Sequence, residues 1–350
     1  MKRFTIILGL LLTSCAPATQ ASATYPLAEG GASHVGMRTV ELVDESREGR
    51  HVSVTVWYPA VGPADGTSAG TTRDAEPDRS GAPYPLILSS TKQASPLAPF
   101  VVSHGFTWAS VDGINTYTAF YEGAIDQPRD ILFALDQVAA NPPEGLEGLI
   151  DAENAGTIGY SFDGFNSLAM SGARVDPEYY LAQCPTPDAT TASFLGDLSA
   201  FSCGPARQWD SFTAHVGEAI TASDDGLWQP LTDPRIRAVM PMAGEGWWLF
   251  GERGLAYVDR PVLMIAGTDD PLYKENALIY EHLGTSDRAL ISFVGMTHGG
   301  MLNAPYPERV AHFAVAFFGY HLQGREDYAV YFSQEFVGQH DHLAWGVYKK

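Results

Sequence analysis

The sequence predicts an α/β fold, a mostly parallel central sheet with helices on both faces. Short apolar runs recur along the chain with helical patterns between them, the rhythm of strand-helix-strand units. A hydrophobic content of 45% over 350 residues can bury one large core, and the composition suggests neither a repeat array nor disorder. One large domain is therefore expected.

The elements follow in order. The N-terminus, MKRFTIILGLLLTSCAPATQASA, carries two basic residues and then an apolar run too short to span a bilayer, the pattern of an export signal. Leu12-Thr13-Ser14-Cys15 resembles the lipobox of bacterial lipoproteins, in which the cysteine is lipidated and becomes the mature N-terminus. Ala21-Ser22-Ala23 is a rival cleavage site of the A-x-A type. On the first reading residues 1–15 are signal peptide with lipobox, 16–33 a small-residue tether and 34–350 the folded domain, touching a membrane only through the lipid anchor on Cys15. On the second, the chain is periplasmic or secreted.

Alternating apolar stretches at Met37 to Val43 and His51 to Tyr58 predict an antiparallel pair. After a loop rich in Gly, Pro and Asp, strands are expected at 85–90, 106–112, 156–161, 236–244, 261–267 and 289–295. Ile131, Leu132, Leu135 and Val138 form one stripe of a helix over Arg129 to Asn141, and Pro305 to Leu322 reads as a final amphipathic helix. Residues 173–234 show no sheet rhythm, and an insertion of that size in a compact domain reads as a cap.

Charge narrows the partners. The 21 basic and 41 acidic residues leave a net of -20, which repels nucleic acid and anionic membranes. The cap holds nine acidic and two basic side chains, a net of -7, which favours a neutral ligand over an anionic one. Beyond Cys15 remain Cys184 and Cys203. In an exported chain these most simply pair as a disulfide, the alternative being two buried thiols, and neither has metal-ligand spacing with a histidine.

GTIGYSFDGFNSLAMSG, residues 156–172, reads as a strand that turns sharply on Ser161 and leaves as a helix. A nucleophile elbow, G-x-S-x-G, has that setting, although Asp163 stands at its second glycine. A later strand ends in GTDDP and the next in GMTHGG, so acid and histidine follow the serine in the order Ser, Asp, His. Serine is a poor nucleophile without an imidazole to take its proton and a carboxylate to hold that imidazole, which makes Ser161, His298 and Asp270 the candidate triad. Asp269 is the rival acid. Asp270 is preferred because the turn after Gly267 needs room before a carboxylate can point back.

With HVGMRTVELVDESREGRHVSVTVWYPA at residues 34–60, GYSFDG, GTDDPLY and GMTHGG, the chain resembles α/β-hydrolases of the bacterial platelet-activating-factor acetylhydrolase and dienelactone-hydrolase-like group, over roughly Gly36 to Leu322, and through them the cutinase-like polyester hydrolases. The resemblance implies an α/β-hydrolase fold and cleavage of carboxylic esters by Ser161, Asp270 and His298 without metal or organic cofactor. A serine nucleophile argues against the cysteine chemistry of true dienelactone hydrolases.

An oxyanion hole needs two backbone N–H groups. The first is expected from Phe162. The His-Gly pair of VVSHGF, 101–106, is a decoy, since reading it as the preceding strand leaves no crossover to the next parallel strand. The preferred parse makes Ser95 an N-cap, Pro96 the first helical residue, Ser103 the end of a short helix and Gly105 its terminal glycine. Thr91-Lys92 then stands in a loop where the family has His-Gly, and Gln93, with Lys92 as rival, supplies the second N–H. Trp247 and Trp248, at the carboxyl end of a strand, are either walls for an acyl group, as the polyester hydrolases imply, or core packing. Asp112, Asn115 and Tyr117 are further candidates for the cleft. Three functions stay open: a carboxylesterase for aromatic esters or polyesters, a lipase or phospholipase-type acetylhydrolase, and a degenerate binding protein that keeps the fold.

Overall fold

Strands form where the sequence runs apolar, and side-chain alternation along them divides the core in two. The structure is a computed structural model that describes residues 24–62, 70–112, 120–184, 202–303 and 306–349. Among these, ten strands join in one sheet: β1 (His34–Asp44), β2 (Arg50–Ala60), β3 (Thr71–Arg73), β4 (Tyr84–Ser90), β5 (Thr107–Asp112), β6 (Ile150–Tyr160), β7 (Ile236–Met242), β8 (Val262–Gly267), β9 (Arg288–Phe293) and β10 (Leu343–Trp345). Their spatial order is β10-β9-β8-β7-β6-β4-β5-β2-β1-β3. The central run from β5 through β4, β6, β7 and β8 to β9 is parallel, while β2 on β5, β1 on β2 and β10 on β9 are antiparallel. This is a mixed α/β fold, as the sequence predicts.

Along β4, Leu86 and Leu88 enter one apolar cluster and Ile87 the other. The first cluster is filled by Ile131, Leu135 and Val138 of α2 (Phe120–Ala140) and Phe165 and Leu168 of α3 (Phe162–Met170). The second takes Leu97, Ala98, Val101 and Val102 of α1 (Thr91–Ser103), with Val310, Phe313 and Phe317 of the helix Tyr306–Gln323. Both faces are thus covered, which a parallel sheet requires.

Several boundaries differ from expectation: α2 starts at Phe120 rather than Arg129, and β6 at Ile150 rather than Gly156. The helix predicted to start at Ser95 begins at Thr91, directly after β4, with Pro96 and Pro99 inside it. Each proline removes one N–H from the helical ladder. The buried stripe of Leu97, Ala98, Val101 and Val102 holds the helix against the sheet despite that loss. Gly105 does end the turn, at φ 85°. At the N-terminus, packing reaches into the predicted tether: the Tyr25 ring lies 5.4 Å from that of His312 and 4.4 Å from that of His340.

Among the described residues of 173–234 the regular structure is helical, including α4 (Pro177–Gln183) and the helix Trp209–Val216, and 222–234 run without helix or strand. Cys184 and Cys203 are disulfide-bonded. Arg174 ties the segment together, donating to the Asp225 carboxylate and to the Trp228 and Leu227 carbonyls. Cys15, Asn115 and Tyr117 lie outside the described residues.

Candidate active site

Because β6, β7, β8 and β9 are parallel, the segments leaving their carboxyl ends share one edge of the sheet. Ser161 follows β6 and takes φ 61°, ψ -121°, a conformation that costs a non-glycine residue of order 1–3 kcal/mol. The surroundings over-determine it. The Ser161 N–H donates to the Met242 carbonyl at 2.9 Å, and the Ser161 carbonyl accepts from the Gly164 N–H at 2.8 Å. A Cβ on Gly159 would lie 1.9 Å from the Asp163 carbonyl oxygen, and one on Gly164 would lie 2.6 Å from the Gly244 Cα. The tight approaches of this elbow therefore fall at 159 and 164. Position 163 has room for a side chain, which is why the departure from G-x-S-x-G is sterically tolerated.

His298 follows β9 and opens a 3-10 turn over His298–Leu302. Its Nε2 is 3.0 Å from Ser161 Oγ and its Nδ1 is 2.8 Å from Asp270 Oδ2. Asp270 is buried and its other oxygen accepts the Leu272 N–H at 2.8 Å. Asp269 is exposed, with its N–H bonded to the Met296 carbonyl. Of the two neighbouring acids it is Asp270 that reaches the imidazole. Arranged this way, Nδ1–H donates to Asp270, leaving Nε2 to accept the serine proton. Tyr160 lies beneath, its ring 5.0 Å from that of His298 and its hydroxyl donating to the His298 carbonyl at 2.7 Å. Burial, and then the charges of Asp270 and Glu245, push this phenol up to about 12, so it stays a donor.

Glu245 is a residue that the sequence reading missed. Its Oε1 lies 3.3 Å from Ser161 Oγ, so the hydroxyl has a second acceptor besides His298. It sits in the connection between β7 and the helix Trp247–Leu255, where Ala243 at φ 44° and Gly246 at φ 130° bend the chain. Asn276 clamps that bend, donating to the Gly244 carbonyl and accepting from its N–H. Glu275 lies behind, 1% exposed, one carboxylate oxygen accepting both the Gly246 and Trp247 N–H groups. Desolvation, with the Glu245 charge added, raises its pKa well above the usual value despite those two bonds. Nothing in GEGWW read alone signals an acid over the serine, because only the fold of β7 against β6 brings 245 to 161.

The remaining candidates are distributed as follows. Phe162 opens α3, where its N–H stands at the helix N-terminus beside Ser161. Gln93 lies in the first turn of α1, not in the loop expected of it. His104 precedes β5 at the opposite edge of the sheet, its ring bonded to the Glu29 carbonyl. Trp248 is 1% exposed against Tyr180, and Trp247 is 8% exposed against Tyr179 and His282. Both indoles are buried members of the first apolar cluster. Asp112, at the end of β5, accepts from the Thr55 hydroxyl. Away from the triad, Glu122 and Asp126 of α2 and His215 bring three oxygen or nitrogen atoms within 4.8 Å of one another, with Arg50 3.8 Å from Asp126. Compared with models of known protein families the chain matches none, and no curated protein matches it.

Proposed function

We propose that this chain is an exported serine carboxylester hydrolase with the α/β-hydrolase fold, acting on neutral esters, aromatic esters or polyesters among them, through an acyl-enzyme. The observation that carries this reading is the unbroken relay Ser161–His298–Asp270, at 3.0 Å and 2.8 Å, on a serine held at positive φ where parallel strands end. Ser161 Oγ attacks the ester carbonyl carbon and its proton passes to His298 Nε2. The buried Asp270 carboxylate stabilises the resulting imidazolium. The tetrahedral oxyanion is met by the Phe162 N–H and by a first-turn N–H of α1, for which Gln93 is the candidate. His298 then protonates the departing alkoxide, and water, activated by the same imidazole, releases the acid. An acidic segment over residues 173–234 and Glu245 at the serine both disfavour anionic substrates, so a neutral ester fits better than a free carboxylate. Localisation at the cell envelope through Cys15 belongs to the same reading, and a disulfide fits an oxidising compartment.

Purified protein should hydrolyse p-nitrophenyl acetate and butyrate and be trapped covalently by a fluorophosphonate. Ser161→Ala should abolish trapping and lower hydrolysis by several orders of magnitude. Asp270→Asn should cost roughly 10⁴-fold, as loss of the orienting carboxylate does in such triads, and Asp269→Asn far less. Trapping that persists in Ser161→Ala rejects the assignment.

A further inference from the structure

We infer that Asp163 is a positioning residue, whose buried carboxylate holds the end of β4 and so sets the first turn of α1 as the second oxyanion donor. This inference rests on the hydrolase reading. Asp163 occupies the first turn of α3 and is 1% exposed; Ser90, the last residue of β4, is fully buried. The Ser90 hydroxyl donates to Asp163 Oδ2. The other oxygen, Oδ1, accepts from Asn166 Nδ2 at 3.3 Å, and that amide also donates to Gln127 Oε1 of α2 at 3.0 Å. One carboxylate thus joins the elbow helix, the strand beside it and the helix on the sheet face.

Strand register shows what that grip controls. β4 and β6 are parallel neighbours with Leu88 opposite Thr157, so two residues on, Ser90 falls level with Gly159 and the start of α1 level with Tyr160 and Ser161. Neighbouring strands lie about 4.8 Å apart. α1 begins at Thr91 with no intervening loop, and the leading N–H groups of a helix have no carbonyl within it. A shift of Ser90 therefore moves those donors relative to the carbonyl that Ser161 attacks. Pro96 and Pro99 weaken the ladder just downstream, which gives an external hold on the start of this helix something to do. The carboxylate also opposes the developing oxyanion by its charge. The bonds from Ser90 and Asn166 orient the carboxylate toward β4 and α3.

The test measures kcat and KM on p-nitrophenyl butyrate for Asp163→Gly, Asp163→Asn, Ser90→Ala and the Ser90→Ala/Asp163→Gly pair, with sites counted by fluorophosphonate titration so that misfolded protein does not enter kcat. Asp163→Gly and Ser90→Ala should each lower kcat by roughly 10- to 1000-fold, up to the range for a lost oxyanion donor, with KM changed little. Asp163→Asn, which can still bond Ser90, should recover most of the rate. The double variant should be no worse than the poorer single one, because both changes release the same contact. Unchanged or raised kcat in Asp163→Gly, or losses that add independently, overturns the inference while leaving the hydrolase intact. A wild-type protein that neither hydrolyses nor labels overturns the hydrolase reading, and the positioning role with it.

Discussion

Glu275 is where the cost of this site's electrostatics is most concentrated. Two N–H groups at the start of the helix Trp247–Leu255 and the dipole of that helix favour its charge, but full burial and the nearby Glu245 carboxylate win, and its pKa rises above the ordinary 4.5. The native protein therefore keeps a proton that the unfolded chain has released, so stability falls as pH rises from about 4.5 toward the raised value, by at most about 1.4 kcal/mol per pH unit. Glu275→Gln keeps an oxygen for both N–H groups and removes the ionisation. Thermal melts should show the variant more stable than wild type at pH 7.5, with the gap closing at pH 4.5. An equal gap at both values would mean that the carboxyl does not titrate in this range.

Among the elements, the segment 173–234 depends on covalent and ionic closure more than on sheet contacts. The disulfide follows directly on α4 and spans a sequence separation of 19, while Arg174 carries the Asp225 ion pair, which holds that carboxyl below its usual range. Cross-linking a loop of this length constrains the unfolded chain by roughly 3 kcal/mol in the loop-entropy model. Cys184→Ser/Cys203→Ser should lower stability toward that extent in denaturant titrations, and a non-reducing peptide map of exported wild-type protein should show the two cysteines linked. Two free thiols in that map would contradict the pairing. α1 is the contrasting case: its two prolines disfavour a helix locally, yet its apolar stripe is fully used against the sheet.

On the scale of the whole molecule, the N-terminal strand of chain and the C-terminal helices are joined through one buried imidazole. His312 Nδ1 accepts the Leu27 N–H at 3.0 Å, Tyr25 packs edge-on to its ring, and Arg309 stacks over Tyr25 at 5.4 Å. Burial lowers the His312 pKa to about 3 from an ordinary 6.5. Between those values the unfolded chain binds a proton that the native one does not, so this contribution is complete above about pH 6.5 and is lost as pH falls toward 3. Melting temperature should decline on acidification through this window. His312→Asn, which cannot titrate, should be less stable than wild type at pH 7 and lose less between pH 7 and pH 4. A steeper decline in the variant would place the acid sensitivity elsewhere.

The sequence by itself determined the order of the eight longer strands, though not the short edge strands β3 and β10, and the chain order of serine, acid and histidine. Those properties are local, written in apolar periodicity and in turns such as GYSFDG, GTDDP and GMTHGG. The choice of Asp270 over Asp269 was legible as far as the geometry of one turn allows. The tertiary structure alone decided what depends on residues distant along the chain. Ser161 meets Glu245 across 84 positions and Ser90 meets Asp163 across 73, and no local pattern encodes either contact. The burial of Trp247 and Trp248 and the docking of Tyr25 have the same origin: each is settled by apolar area that exists only once the sheet has brought its two faces together.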